Sequence, residues 1–250
     1  MAGRDIKASL TRRHMLASTV SFLAMAASSG AGARVIAGGV PWAPNAASPP
    51  IPVVPGGWLF LTGPEAATIE AIVERLIPAD ELGPSGKDAG CAVFIDRQLA
   101  GPYGGAEMLY MRPPFVKVAP EFGIQSELPP AAQYRVGLKA LDTYCRTSFS
   151  KPFADLPPAQ RDEVLTALEK GGITLDGIEA RAFFNLVHQN TMEGFFADPI
   201  YGGNRDMAGW KLIGFPGARY DYRDHIDKPN QPYPLPPVGL QGRPGWTPAR

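Results

Sequence analysis

The sequence predicts a mainly α protein, a single helical domain with long Gly-, Pro- and aromatic-rich loops and extended Pro-rich arms at both ends. Three observations lead there. Five stretches carry apolar residues at spacings of three and four, with helix-start or helix-stop residues at their ends. No stretch sustains the alternation of β-branched residues that marks a strand. Gly (28) and Pro (27) in 250 residues both exceed their usual shares of ~7% and ~5%, which calls for long irregular connections.

The first segment, 1–33, reads as an address. Arg12 and Arg13 stand directly before an uncharged run from Leu16 to Ala33 that is rich in Ala, Ser and Gly. A membrane span needs ~20 strongly apolar residues, and this run is too mild. A twin-arginine export signal fits, with Ala31-Gly32-Ala33 as its cleavage site, although Ala24-Met25-Ala26 also fits. Cleavage after Ala33 removes four of the 24 basic and one of the 24 acidic residues, leaving a net charge of −3. No basic excess points to nucleic acid. This export route carries folded proteins, so either the chain or a partner is expected to hold a cofactor, and the expected location is the periplasm.

Residues 34–60 contain six prolines and read as an extended arm. The helical domain is expected over 61–226. Thr62 and Glu65 form a capping-box pattern. Ile69, Ile72, Val73, Leu76 and Ile77 then mark one helix face, and Pro78 stops it. Cys91, Phe94, Ile95 and Leu99 give a second helix, closed by Gly101-Pro102. Residues 101–127 have no period and hold several aromatics. Pro129-Pro130 opens a third helix with Tyr134, Leu138, Leu141, Cys145 and Phe149 on one side. A fourth is expected from Asp155 to the Gly171-Gly172 stop, and a fifth from about Asp176 to Phe196. The tail, 227–250, has seven prolines and no core-forming run. It is expected to be either disordered or laid along another protein.

Chemistry-bearing residues are sparse. Outside the signal only His188 and His225 remain, and the two cysteines are far apart, so no Cys/His cluster has metal-ligand spacing. No C-x-x-C-H is present, which excludes covalent c-type haem on this chain. Dinucleotide, P-loop and G-x-S-x-G signatures are also missing. His188 reads first as a structural histidine beside Phe184, Met192 and Phe195. Asn185, Gln189 and Glu193 recur every fourth residue, a solvated face in the simplest reading. Glu193, Asp198, Asp206 and Asp221 are not paired by spacing, and Asp198 before Pro199 reads as a cap or turn. Cys91 and Cys145 are left as a disulfide, as buried thiols, or with one bridging to a partner. Phe195, Phe196, Tyr201, Trp210, Phe215 and Tyr220 crowd a glycine-studded loop, part expected inside the domain and part against a partner.

The chain resembles the gluconate 2-dehydrogenase subunit 3 family. The resemblance rests on Thr11-Arg12-Arg13, on Leu61-Thr62 with 71–80 (AIVERLIPAD), and on 90–96 (GCAVFID). Its most specific part is 193–199 (EGFFADP), with 201–205 (YGGNR) and 210–217 (WKLIGFPG). It implies a heteromeric complex with an FAD-containing large subunit of the glucose–methanol–choline type and a multihaem cytochrome c at the periplasmic face of the inner membrane. The small subunit would bind no flavin or haem. It would stabilise the large subunit and supply its signal to the twin-arginine translocase. No catalytic residue transfers by motif. Two alternatives remain at this point. One is a stand-alone periplasmic enzyme or small-molecule-binding protein using His188 and the loop carboxylates. The other is a transient assembly factor.

Overall fold

A computed structural model describes residue 53, residues 56–116, residue 119, residues 126–219 and residues 222–240. Arg12, Arg13 and Tyr220 therefore lie outside the described residues. The fold is helical, as expected: α1 (Gly63–Leu76), α2 (Cys91–Ala100), α3 (Pro130–Phe149), α4 (Pro158–Lys170), α5 (Ala180–Phe196) and a short α6 (Ala208–Ile213). Among the described residues there is no strand, only the isolated bridges Asp80–Gly83, Leu175–Ile178 and Gly217–Val238. No described helix is long and apolar enough to cross a membrane.

The first three helices begin where the sequence predicts, the first of them at a capping box. Glu65 accepts from the Thr62 N–H and hydroxyl, both at 2.8 Å, and is also paired with Arg135. The other two start later than the sequence predicts. The fourth begins at Pro158 rather than Asp155, because a proline pushes the residue before it into extended backbone. Leu156 and Pro157 have ψ 145° and 153°, and Asp155 closes a separate turn, Phe153–Asp155. The fifth begins at Ala180 rather than Asp176, since a left-handed Gly177 (φ 78°) turns the chain at the Leu175–Ile178 bridge.

The centre of the molecule is α5, which packs chiefly on α2 and α4 and also touches α1, α3 and α6. Ile69 and Val73 of α1, Ile95 of α2, Leu141 of α3, Val164 and Leu168 of α4, and Phe183 and Leu186 of α5 are each at most 1% exposed. Burying such side chains stabilises by ~1.5–3 kcal/mol apiece before entropy is subtracted. Arg75 fixes α1 to α4 with two bonds to Asp162 at 2.7 and 2.8 Å. Arg161 of α4 reinforces the joint by donating to Glu74 of α1 at 3.3 Å, and it holds the turn before α4 through the Leu156 carbonyl at 2.8 Å and the Ala154 carbonyl at 2.6 Å.

Both chain ends that enter the described region are tied to this body. At the start, Trp58 and Phe60 pack against the core and Leu61 is buried in it. At the end, Val238 is buried, so the Pro-rich tail is in part seated on its own chain. No hydrophobic run marks that seat in the sequence: it is made by the single side chain of Val238 and by backbone bonds to Pro216 and Ala218.

A candidate partner interface

The chain leaving α5 is shaped by Pro199. It forces Asp198 into extended backbone (φ −63°, ψ 135°), ending the helix. Asp198 then caps the turn Pro199–Tyr201, accepting from the Ile200 N–H at 3.0 Å. The chain reverses and lies on the last turn of α5. A Cβ on Gly203 would stand 2.2 Å from the Gly194 carbonyl oxygen, and one on Gly209 2.2 Å from that of Phe195. Only glycine permits such an approach.

The end of a helix leaves carbonyls without partners, and this loop supplies them. Trp210 Nε1 donates to the Phe196 carbonyl at 2.8 Å. Asn204 Nδ2 donates to the Ala197 carbonyl at 2.8 Å, while its Oδ1 accepts from the Gly209 N–H at 2.8 Å. Asn204 is fully buried and left-handed (φ 45°), a conformation asparagine tolerates better than most residues. Phe215 meets the Trp210 ring edge-on at 5.1 Å.

Two of the residues read as interface candidates are thereby interior. Phe195 is 3% exposed and Trp210 5%, a correction whose cause is the set of bonds just described. Phe196 is half-buried, and only Tyr201 and Phe215 present exposed rings. Phe215 borders a groove of about 440 Å³ shared with Trp210, Tyr233, Leu235 and the neighbouring prolines. The far wall of that groove is the tail. Val238 donates to the Pro216 carbonyl at 3.2 Å and its own carbonyl accepts from Ala218 at 2.6 Å, while the Leu240 N–H donates to Asp198 Oδ2 at 2.7 Å.

Cys91 and Cys145 are free and fully buried, which corrects the disulfide candidate in favour of buried thiols. Each is enclosed by its own surroundings: Cys91 by the loop joined through Arg205 N–H to the Ala89 carbonyl at 3.0 Å, Cys145 on the inner side of α3. Burial pushes the Cys91 thiol up to about 12, against the weaker lowering effects of a backbone hydrogen bond and Arg205. Burial, with Asp142 adding to it, lifts Cys145 to about 11. Such thiols are unreactive at neutral pH.

Among the described residues, those of the acid–base alternative are not brought together. His188 is exposed and stacked on Phe184 at 5.8 Å, rather than packed inside. Asp198 is engaged by backbone amides, and Asp206 lies exposed in its loop. Asp221 is outside the described residues. No described cluster of three or more His, Cys, Asp or Glu could hold a metal. The stripe Asn185, Gln189 and Glu193 is solvent-facing, with Gln189 donating to Glu193 at 2.9 Å.

Against known proteins, the family profile of gluconate 2-dehydrogenase subunit 3 matches residues 64–217. The chain belongs to this family. No curated protein and no solved structure matches it. By family it is a subunit of a gluconate dehydrogenase complex, with other subunits as its partners. The matched span runs from α1 through the loop beyond α6, so the helical body and the Gly–aromatic block are one unit of descent.

Three features of the subunit were not found from sequence. Asp96, fully buried on α2, accepts the N–H groups of Leu59, Phe60 and Leu61, each at 2.9 Å, and also pairs with Arg97. An acidic residue amid the apolar face of a short helix was the available signal. Asn190 ties α5 to α3 and to the 101–109 loop, accepting from Tyr134 at 3.0 Å and donating to Tyr103 at 2.9 Å and to Glu193 at 2.9 Å. Burial raises both tyrosines above their ordinary range. The third is the run 108–116, where Met108, Leu109, Tyr110, Phe115 and Val116 all face solvent. Four adjacent large apolar residues with no helical neighbours, 108–111, were its trace in the sequence.

Proposed function

We propose that this chain is the non-catalytic small subunit of a periplasmic, FAD-dependent dehydrogenase complex acting on a sugar or sugar acid. It stabilises the flavoprotein large subunit and supplies the export signal for both. The observation that carries this reading is the subunit 3 match over residues 64–217. Two sequence features support it: the Arg12-Arg13 pair before a mild uncharged run, and aromatic loop residues whose rings, at Tyr201 and Phe215, stay open. FAD belongs to the large subunit in this proposal and haem c to a membrane cytochrome. The complex sits at the periplasmic face of the inner membrane.

The test is purification of C-terminally tagged protein from the native periplasmic and membrane fractions, with an absorbance spectrum of the eluate. The expected result is a larger chain bearing flavin bands. Exchanging Arg12 and Arg13 for Lys is expected to leave both proteins in the cytoplasm. Export of the flavoprotein despite that exchange refutes the escort role, and a lone colourless chain refutes the subunit role.

A further inference from the structure

Residues 101–116 form an arm with a fixed root and an open tip. The root is bound at several points: the Gly104 N–H donates to Gln98 at 3.2 Å, the Gly104 carbonyl accepts from Ala131 at 3.0 Å, and the Glu107 N–H donates to Pro102 at 3.0 Å. Ala106 is buried, and Tyr103 is held by Asn190 of α5. Beyond the Leu109 N–H, which donates to Ala106 at 3.0 Å, the backbone of 110–116 makes no hydrogen bond among the described residues. The side chains are equally open. Met108 is 90% exposed and Tyr110 83%, and Leu109, Phe115 and Val116 are exposed as well. A folded chain that leaves five large apolar side chains in water along nine residues has a surface built to be covered.

We propose that this arm is the principal docking element of the subunit, and that its occupant is an apolar groove with an acidic rim on the large subunit of the same complex. The proposal rests on the subunit reading above and gives it a place. Membership of a subunit family supplies the kind of partner. Charge supplies the complement: Arg112 is exposed with no partner among the described residues, Lys117 follows it in sequence, and no acidic residue occurs from 108 to 120. The composition fits a protein groove. Met, Tyr and Arg are the residues enriched at such contacts, and Met adapts to an irregular pocket. A lipid surface fits less well, since two cations give little attraction to anionic headgroups and the tip has no amphipathic helix to lie in the interface. The root sets the direction of the tip, so less freedom is lost on docking than for a loose loop.

The experiment compares tagged wild-type protein, the triple variant Met108→Ser/Leu109→Ser/Tyr110→Ser, and Arg112→Glu, each purified from the native host. The readout is flavin absorbance and the large-subunit band per mole of tagged chain. Since these side chains touch little of their own chain, the melting temperature of each variant is expected to match wild type. Co-purified flavoprotein is expected to fall at least about tenfold for the triple variant and about threefold for Arg112→Glu. Undiminished flavoprotein in both variants overturns the proposal and leaves the subunit reading intact. Wild-type protein that brings down no flavoprotein overturns the subunit reading itself. Full retention of the complex, with sedimentation on phosphatidylglycerol vesicles or self-association lost in the triple variant, overturns the proposal in favour of a membrane or a second copy.

Discussion

Two aperiodic, aromatic-rich loops of this subunit meet opposite fates. The loop after α5, 197–217, folds onto the body until Trp210 and Asn204 are buried. The loop after α2 leaves Met108, Leu109 and Tyr110 in water. Aromatic content does not distinguish them. What does is the supply of polar partners and of close backbone approach. Trp210 has a helix carbonyl for its indole N–H, Asn204 has both an acceptor and a donor, and Gly203 and Gly209 let the chain lie flat on the helix. Tyr110 has none of these. A loop becomes interior when its polar atoms can be satisfied there, because an unsatisfied one costs ~1–3 kcal/mol.

The sharpest way to break that contrast is Trp210→Ala. It opens a cavity and orphans the Phe196 carbonyl, and a loss of about 3–5 kcal/mol in unfolding free energy is expected. Denaturant titration of the purified chain measures it, and a loss below about 1 kcal/mol would mean that the loop is not part of the cooperative core. A smaller effect follows from the buried thiols, one of which lies beneath this same loop. Above its ordinary value of 9.0 the unfolded Cys91 loses its proton while the folded thiol, at about 12, retains it. The stability these thiols contribute is therefore full below pH 9 and declines as pH rises, until the folded thiols ionise. Denaturation midpoints across that range check the decline, which is expected to be shallower in Cys91→Ala. The smallest effect belongs to the other loop. Tyr110→Ala is expected to change the stability of the isolated chain by no more than about 0.5 kcal/mol, and a larger loss would place that ring inside after all.

Helices with local signals were legible: the Thr62–Glu65 cap and Pro129-Pro130 put α1 and α3 where they are. The starts of α4 and α5 were not, because each depends on how the residues ahead of it turn, at Pro157 and at Gly177. The 193–217 block could be recognised but not divided into inward and outward halves. That division depends on which carbonyls α5 leaves free, a fact of three dimensions. Asp96 illustrates the same limit: its three backbone donors lie more than thirty residues upstream. The arm at 108–116 shows in the sequence as four adjacent large apolar residues, 108–111, with no helical spacing around them.

Asp198 joins the two ends of a long interval, since one oxygen takes the Ile200 amide and the other takes the amide of Leu240. During synthesis the first bond can form as soon as the turn leaves the ribosome, but the second waits for forty further residues. Until they emerge, the hollow beside Gly217 lacks Val238 and the wall of the Phe215 groove is unbuilt. The segment around Val238 is thus a latch: the surface beside Phe215 is complete only once that segment has been made and seated.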